Sequence, residues 1–206
     1  MIKELARDYI AEETRTLGQL PLEAVGRVVE VLRDAYEREQ QMFVMGNGGS
    51  AATASHLACD INKGLGLGRD KRFRMICLND NIPTMLAYAN DISYRDVFVE
   101  QLRNFVRPDD VVIGISCSGN SENVVKAVEF ANAGGAVAIG VTGFDGGRLA
   151  KVAQIPLVVP SRDMQVIEDV HLIICHMLFR LLEKTLDAPQ LKTAGFSLAA
   201  STLAGT

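Results

Sequence analysis

The chain has 206 residues, 48% hydrophobic and 22% charged, enough for one substantial core in a single domain. A formal net charge of -4 argues against the broad basic surface of a nucleic-acid binder, and no apolar run reaches the ~20 residues of a membrane span. Four separated cysteines (Cys59, Cys77, Cys117, Cys175) form no CxxC pair, and the charged N-terminus does not resemble a signal peptide, so the expected compartment is the cytoplasm.

Residues 2–18 and 22–40 read as two amphipathic helices separated by Gly18-Gln-Leu-Pro21. In the first, Ile2, Leu5, Ala6, Tyr9 and Ile10 form one stripe that needs something to pack on. Strand-like apolar runs follow near 42–45, 74–78, 111–116, 136–141 and 155–159, each separated by helix-length sequence. That alternation predicts an α/β doubly wound sandwich of about five parallel strands covered on both faces. The last long helix, near 164–185, is apolar almost all round from Leu172 to Phe179, which predicts burial on several sides, a subunit interface among them. The domain is expected to span 1–186, with 1–40 as a helical extension and 187–206 as a loosely held tail.

Two turns carry the chemistry. Gly46-Asn-Gly-Gly-Ser50 follows a strand and opens an alanine-rich helix, whose unpaired N–H groups point back at the turn and suit a phosphate. On that helix His56 and Asp60 stand four apart, so both side chains lie on one face as metal or acid/base ligands. Ser116-Cys-Ser-Gly-Asn-Ser121 repeats the design after another strand, adding the hydroxyls of Ser116, Ser118 and Ser121. The GxxxxGK[ST] pattern is absent, which argues against nucleoside triphosphate hydrolysis. Gly46-x-Gly48-x-x-Ala51 also fits a dinucleotide fingerprint, but the acidic partner would be Asp80, which comes too late, and the serine turn would have no role.

Together, GNGGSAATASHLACD, ISCSGNS and the late histidine helix resemble the sugar isomerase (SIS) domain, and within it the sedoheptulose 7-phosphate (phosphoheptose) isomerases. The resemblance runs from about residue 1 to 185 and implies a flavodoxin-like sheet in a homotetramer, active sites at subunit interfaces, and a divalent metal, with zinc first. By the same resemblance Asn47, Gly48 and Gly49 match the first substrate loop, beside which Ser50 is also read as binding substrate, Asn90 and Asp91 match an Asn-Asp substrate contact, and Ser116, Cys117, Ser118 and Ser121 the phosphate turn. His56 and His176 match metal or acid/base histidines. Three positions depart from the family: Cys117 replaces a threonine, Asp60 the catalytic glutamate, and Glu168 a glutamine ligand.

Asp60, Glu168 and His176 are therefore the expected catalytic groups, and His56, Asp60, Glu168 and His176 the expected metal ligands, with Glu168 also facing substrate. Aspartate is one methylene shorter than glutamate, so its carboxylate falls back by roughly 1 Å and the base is open between the two: Asp60 itself, or Glu168 in compensation while Asp60 serves mainly as ligand. Glu168 and His176 lie eight residues apart, about 12 Å along a continuous helix. Helical phase pairs Glu168 with His171 instead; the family pairing would have the helix begin near Glu168. His171 is expected to be structural, and Cys59 and Cys175 to be buried apolar fillers. The resulting expectation is an aldose-ketose isomerase acting on a seven-carbon sugar phosphate. Its alternatives are another sugar phosphate, or a binding module such as the SIS regulators and a relative that binds the replication initiator.

Overall fold

The computed structural model describes residues 1–187. The tail expected at 187–206 lies outside them except for Asp187, which ends the last helix. Helices α1 (Ile2–Leu17) and α2 (Leu22–Glu37) precede β1 (Met42–Gly46), α3 (Gly49–Cys59) and β2 (Met75–Cys77). Then come α4 (Ile82–Asp91), α5 (Val97–Phe105), β3 (Val111–Ser116), α6 (Glu122–Ala133), β4 (Val137–Thr142), α7 (Leu149–Val152), β5 (Ile155–Val158) and α8 (Met164–Asp187).

The five strands are parallel, in the order β2-β1-β3-β4-β5. Side chains alternate across the sheet, as the pleat requires. Met42 and Val44 join Ile113, Ile139 and Leu157 under α2, α3 and α8, while Phe43 and Met45 join Val112 and Ala138 under α5 and α6. In β3 and β4 the register pairs Gly114 with Gly140; a side chain at Gly114 would come within 2.7 Å of Val124 on α6, so the glycine lets that helix seat closely.

Order 2-1-3-4-5 reverses between β1 and β3, which are hydrogen-bonded neighbours with Gly46 opposite Ile115. Their following helices leave to opposite faces, α3 with one core cluster and α6 with the other. The carboxyl ends of these two strands thus border an open crevice, the usual place for a ligand in such a sheet.

Helix α1 packs on α8, and near the middle of α1 the Tyr9 hydroxyl donates to Asp169 Oδ2 at 2.6 Å. Its predicted stripe is not covered within one subunit: Ile2, Leu5 and Ile10 are all exposed. Leu172 and Ile173 on α8 and Ile82 and Leu86 on α4 are exposed too, and α4 buries no residue at all. Among the described residues no helix is long and apolar enough to cross a membrane.

Asp110 ties the starts of the strands together. Its buried carboxylate accepts from the Gln41 N–H at 2.9 Å and the Arg107 N–H at 2.8 Å, and its carbonyl accepts from Val137. Asp110→Ala orphans both donors and is expected to cost about 2–5 kcal/mol. Urea unfolding at unchanged m-value measures it, and a loss under about 0.5 kcal/mol would reject the role.

Candidate functional site

The first turn takes its shape from Gly48, whose φ of +54° is the left-handed region that glycine enters freely. Ala51 and Ala52 pair their amides with Gly48 and Asn47 carbonyls, which leaves the amides of Gly49 and Ser50 without partners among the described residues. Gly46 is held from the side by Asn79, whose amide accepts from the Gly46 N–H at 3.1 Å and donates to the Gly46 carbonyl at 2.8 Å.

The second turn depends on Gly119, at φ +64°, where a Cβ would fall 2.0 Å from the Gly146 carbonyl oxygen. Ser116 donates to Ser121 Oγ at 3.0 Å, and Ser118 Oγ accepts from the Asn120 N–H at 3.2 Å. Ser121, at the N-cap of α6, makes no capping hydrogen bond with its side chain, and the amides of Glu122 and Asn123 stay unpartnered among the described residues. Such unpaired amides at a helix start attract an anion.

The two turns face each other. Ser50 Oγ lies 3.9 Å from Cys117 Sγ, and Asn47 and Asn123 exchange two amide hydrogen bonds at 2.9 Å each. Burial pushes the Cys117 thiol up, so it is protonated near neutral pH and its backbone amide remains the useful donor. Glu168 reaches between the turns: its Oε1 is 3.8 Å from Cys117 Sγ, and its carboxylate occupies the space a side chain at Gly49 would take.

His56, Asp60 and His176 form a separate cluster whose ligand atoms all lie within 4.8 Å of one another. The two Nε2 atoms are 2.9 Å apart, and Asp60 Oδ2 is 3.2 Å from His56 and 3.7 Å from His176. Ligands around a tetrahedral ion at about 2.0–2.1 Å stand roughly 3.3 Å apart, so two imidazoles and a carboxylate at these spacings fit zinc or a similar divalent metal. Asp60 also begins a π-helical stretch, Asp60–Leu65, directly after α3, a wider turn that sequence periodicity does not signal.

Glu168 stands outside that cluster, contrary to the expected four-ligand set. The reason is the helix itself: α8 begins at Met164 rather than near Glu168 and runs unbroken, so about 12 Å of helix axis separates Glu168 from His176. Asn90 and Asp91, at the exposed end of α4, hydrogen-bond to each other at 2.8 Å and to neither turn. His171 is buried and pairs its Nε2 with the Thr142 carbonyl at 3.1 Å. Cys175 is buried as expected, its thiol pushed up to about 12 by burial, whereas Cys59 is exposed, a correction that follows from its position on the outer side of α3. A larger cleft of about 680 Å³ opens at the β2 edge beside Cys59, Lys63 and Asp80 and contains none of the expected site residues.

The SIS domain pattern matches residues 8–143, two thirds of the chain. The chain belongs to the SIS domain family. It is similar to the phosphoheptose isomerase of Geotalea daltonii, 39% identical over 90% of this chain and 97% of that one. The probable phosphoheptose isomerase of Thermoplasma acidophilum is 34% identical over 87% and 98%. The structure of the phosphoheptose isomerase from Neisseria gonorrhoeae superposes with a TM-score of 0.82 at 28% identity, covering 89% of this chain and all of that one. In this SIS domain the flavodoxin-like order of strands is the one the family resemblance implies, and both turns lie at its switch point.

Burial lowers the proton affinity of His171, so the folded SIS domain keeps it neutral. The unfolded chain takes up that proton first, so this contribution to stability is present above about pH 6.5 and is lost as pH falls. His171→Gln, which retains a donor for Thr142, is expected to flatten the loss of stability between pH 7.5 and 5.5. Urea midpoints in chelator measure it; equal pH slopes for both proteins would refute the assignment.

Proposed function

We propose that this SIS domain interconverts sedoheptulose 7-phosphate and D-glycero-D-manno-heptose 7-phosphate. The observation that carries the reading is the meeting of two amide-rich turns at the switch point, with Glu168 between them and the His56, Asp60 and His176 cluster on the same side of the sheet. The names of the relatives at 34–39% identity support the substrate.

The phosphate is read as bound by the hydroxyls of Ser118 and Ser121 and the free amides of Glu122 and Asn123, with the buried Ser116 donating to Ser121 behind them. Asn47, Gly48, Gly49 and Ser50 line the sugar's path, with Asn90 and Asp91 approaching on substrate binding or from another subunit. Isomerisation removes a proton from C1 of the ketose, forms an enediol and returns a proton to C2, while a second group carries the hydroxyl proton between O1 and O2. We assign the carbon proton to Glu168, since Asp60 is already engaged with two imidazoles; His176 carries the oxygen proton only while its Nε2 is not bound to a metal. A divalent ion held by His56, Asp60 and His176, zinc by preference, would supply positive charge for the developing oxyanion.

Self-association as a homotetramer belongs to the same reading. The two histidines of the cluster are open to solvent in one subunit, with side chains 47% and 52% exposed, and the uncovered stripe of α1 offers apolar surface for self-association. Sedimentation of the intact protein as a single 22.3 kDa species would end this part of the proposal.

Turnover of sedoheptulose 7-phosphate tests the whole, and chelator is expected to reduce it at least tenfold with recovery on adding zinc. Glu168→Gln should lower kcat by ~100-fold or more and abolish solvent-hydrogen incorporation at carbon, whereas Asp60→Asn should chiefly weaken metal retention. The opposite pattern, exchange lost in D60N and kept in E168Q, would transfer the base role to Asp60.

A further inference from the structure

The hydrogen bonds around Asn47 fix which atom of its amide faces the cavity. The sense of that network is set at one end by a backbone group: the Val124 N–H, in the first turn of α6, donates to Asn123 Oδ1 at 3.0 Å. A backbone N–H only donates, so the acceptor must be the Asn123 oxygen. Asn123 Oδ1 then takes a second bond from Asn47 Nδ2, and Asn123 Nδ2 donates to Asn47 Oδ1, both at 2.9 Å. The Tyr94 hydroxyl completes the set by donating to the same Asn47 oxygen at 2.8 Å. Turning the Asn47 amide over would set Nδ2 against Nδ2 and oxygen against oxygen.

Asn47 Oδ1 is thereby occupied by two donors, while one hydrogen of Nδ2 has no partner among the described residues. Asn47 also lines a cavity of about 410 Å³ together with Ser121, Asn123, Tyr94 and Arg95. Asn123 is almost wholly buried at 3% exposure, a poor place for an amide unless both of its ends are used. Tyr94 belongs to a short helical turn, Tyr94–Asp96, anchored by the buried Asp96 through Lys126 and Ser93.

We propose that Asn123 and Tyr94 are positioning residues that present the single free N–H of Asn47 to a hydroxyl of the bound sugar phosphate. The inference rests on the sugar-phosphate reading above and adds two residues to it. The phosphate held at Ser121 places the neighbouring carbons of the sugar chain against the same cavity, so the donor discriminates a hydroxyl acceptor from an apolar or deoxy position. Donation to a substrate hydroxyl is present in the bound substrate as well as in the transition state, so its loss falls on KM.

Two variants and a double-mutant cycle test this. Tyr94→Phe removes one hydroxyl at constant shape and charge and is expected to raise KM for sedoheptulose 7-phosphate about 5-fold with kcat little changed. Asn123→Asp keeps an acceptor for Val124 but sets an oxygen against the Asn47 oxygen in either orientation of the Asn47 amide, which breaks the paired hydrogen bonds that hold Asn47 in place and should raise KM about 30-fold. A merely structural Asn123 predicts instead a loss of stability with KM little changed, since its buried site would hold an underpaired carboxylate. The thermal midpoint reads that directly.

Because the new carboxylate also repels phosphate, each change is repeated on an Asn47→Ala background with the inhibition constant of inorganic phosphate measured alongside. On that background Y94F should have less than about 1.5-fold effect, and N123D no more than its effect on phosphate inhibition. Undiminished effects in N47A, a loss in kcat alone, or full activity in both single variants would overturn the proposal. Wild-type protein that neither binds nor turns over sedoheptulose 7-phosphate would overturn the functional reading, and this inference with it. An active wild type with additive variants would overturn the inference alone.

Discussion

The hydrogen-bonded pairing of β1 with β3 is the constraint from which the rest of the site follows. Parallel register brings Gly46 level with Ile115, so both strands end at the same height. Each must be followed by a helix, and because α3 and α6 leave to opposite faces, their first turns diverge from a shared crevice. Helix starts carry unpaired N–H groups whatever their sequence. Two of them side by side give a concentration of donors that a small anion satisfies better than water held in a narrow cleft.

That arrangement demands backbone shapes only glycine supplies. Gly119 must pass within contact distance of the Gly146 carbonyl, and Gly48 must bend back with positive φ before α3 begins. Side chains then lock the turns instead of capping the helices: Asn79 grips Gly46, Asn120 holds the second turn to Arg148, and Ser121 bonds to Ser116. Had Ser121 capped α6, one of the free amides would have been consumed. The helix forgoes that stabilisation and keeps its donors for a ligand.

Much of this was legible in the chain because it depends on short-range pattern. The five apolar runs, the two turns and the i, i+4 pairing of His56 with Asp60 are local, and the strands fall where alternation with helices places them. What was not legible depends on contacts between distant segments. Tyr94 lies 47 positions from Asn47 and Asn123 lies 76 away, and neither carries a local mark of its role. The π-helical stretch after Cys59 breaks helical phase without a proline or glycine at its start, and α8 begins four residues before Glu168, which removes Glu168 from the histidine cluster. The apolar stripe of α1 was read correctly as a stripe, but one chain does not contain the surface that covers it.

The absence of cations from both turns bears on how a base can work beside a phosphate. Neither the 46–53 nor the 114–123 segment contains lysine or arginine, and the nearby Arg95 and Lys126 are paired with Asp96 and Glu122. A cation in either turn would bind the phosphate more tightly, yet it would also favour the ionised form of any carboxylate next to it and so weaken that group as a proton acceptor. Neutral dipoles hold the anion with a field that falls off more steeply with distance. In the proposed function a metal held by His56, Asp60 and His176 would keep its charge apart from Glu168, which stands against Cys117, so that an electrophile and a base could act on one substrate without neutralising each other. Separation along α8, which at first sight removes a ligand, is on this view what keeps Glu168 available for the proton.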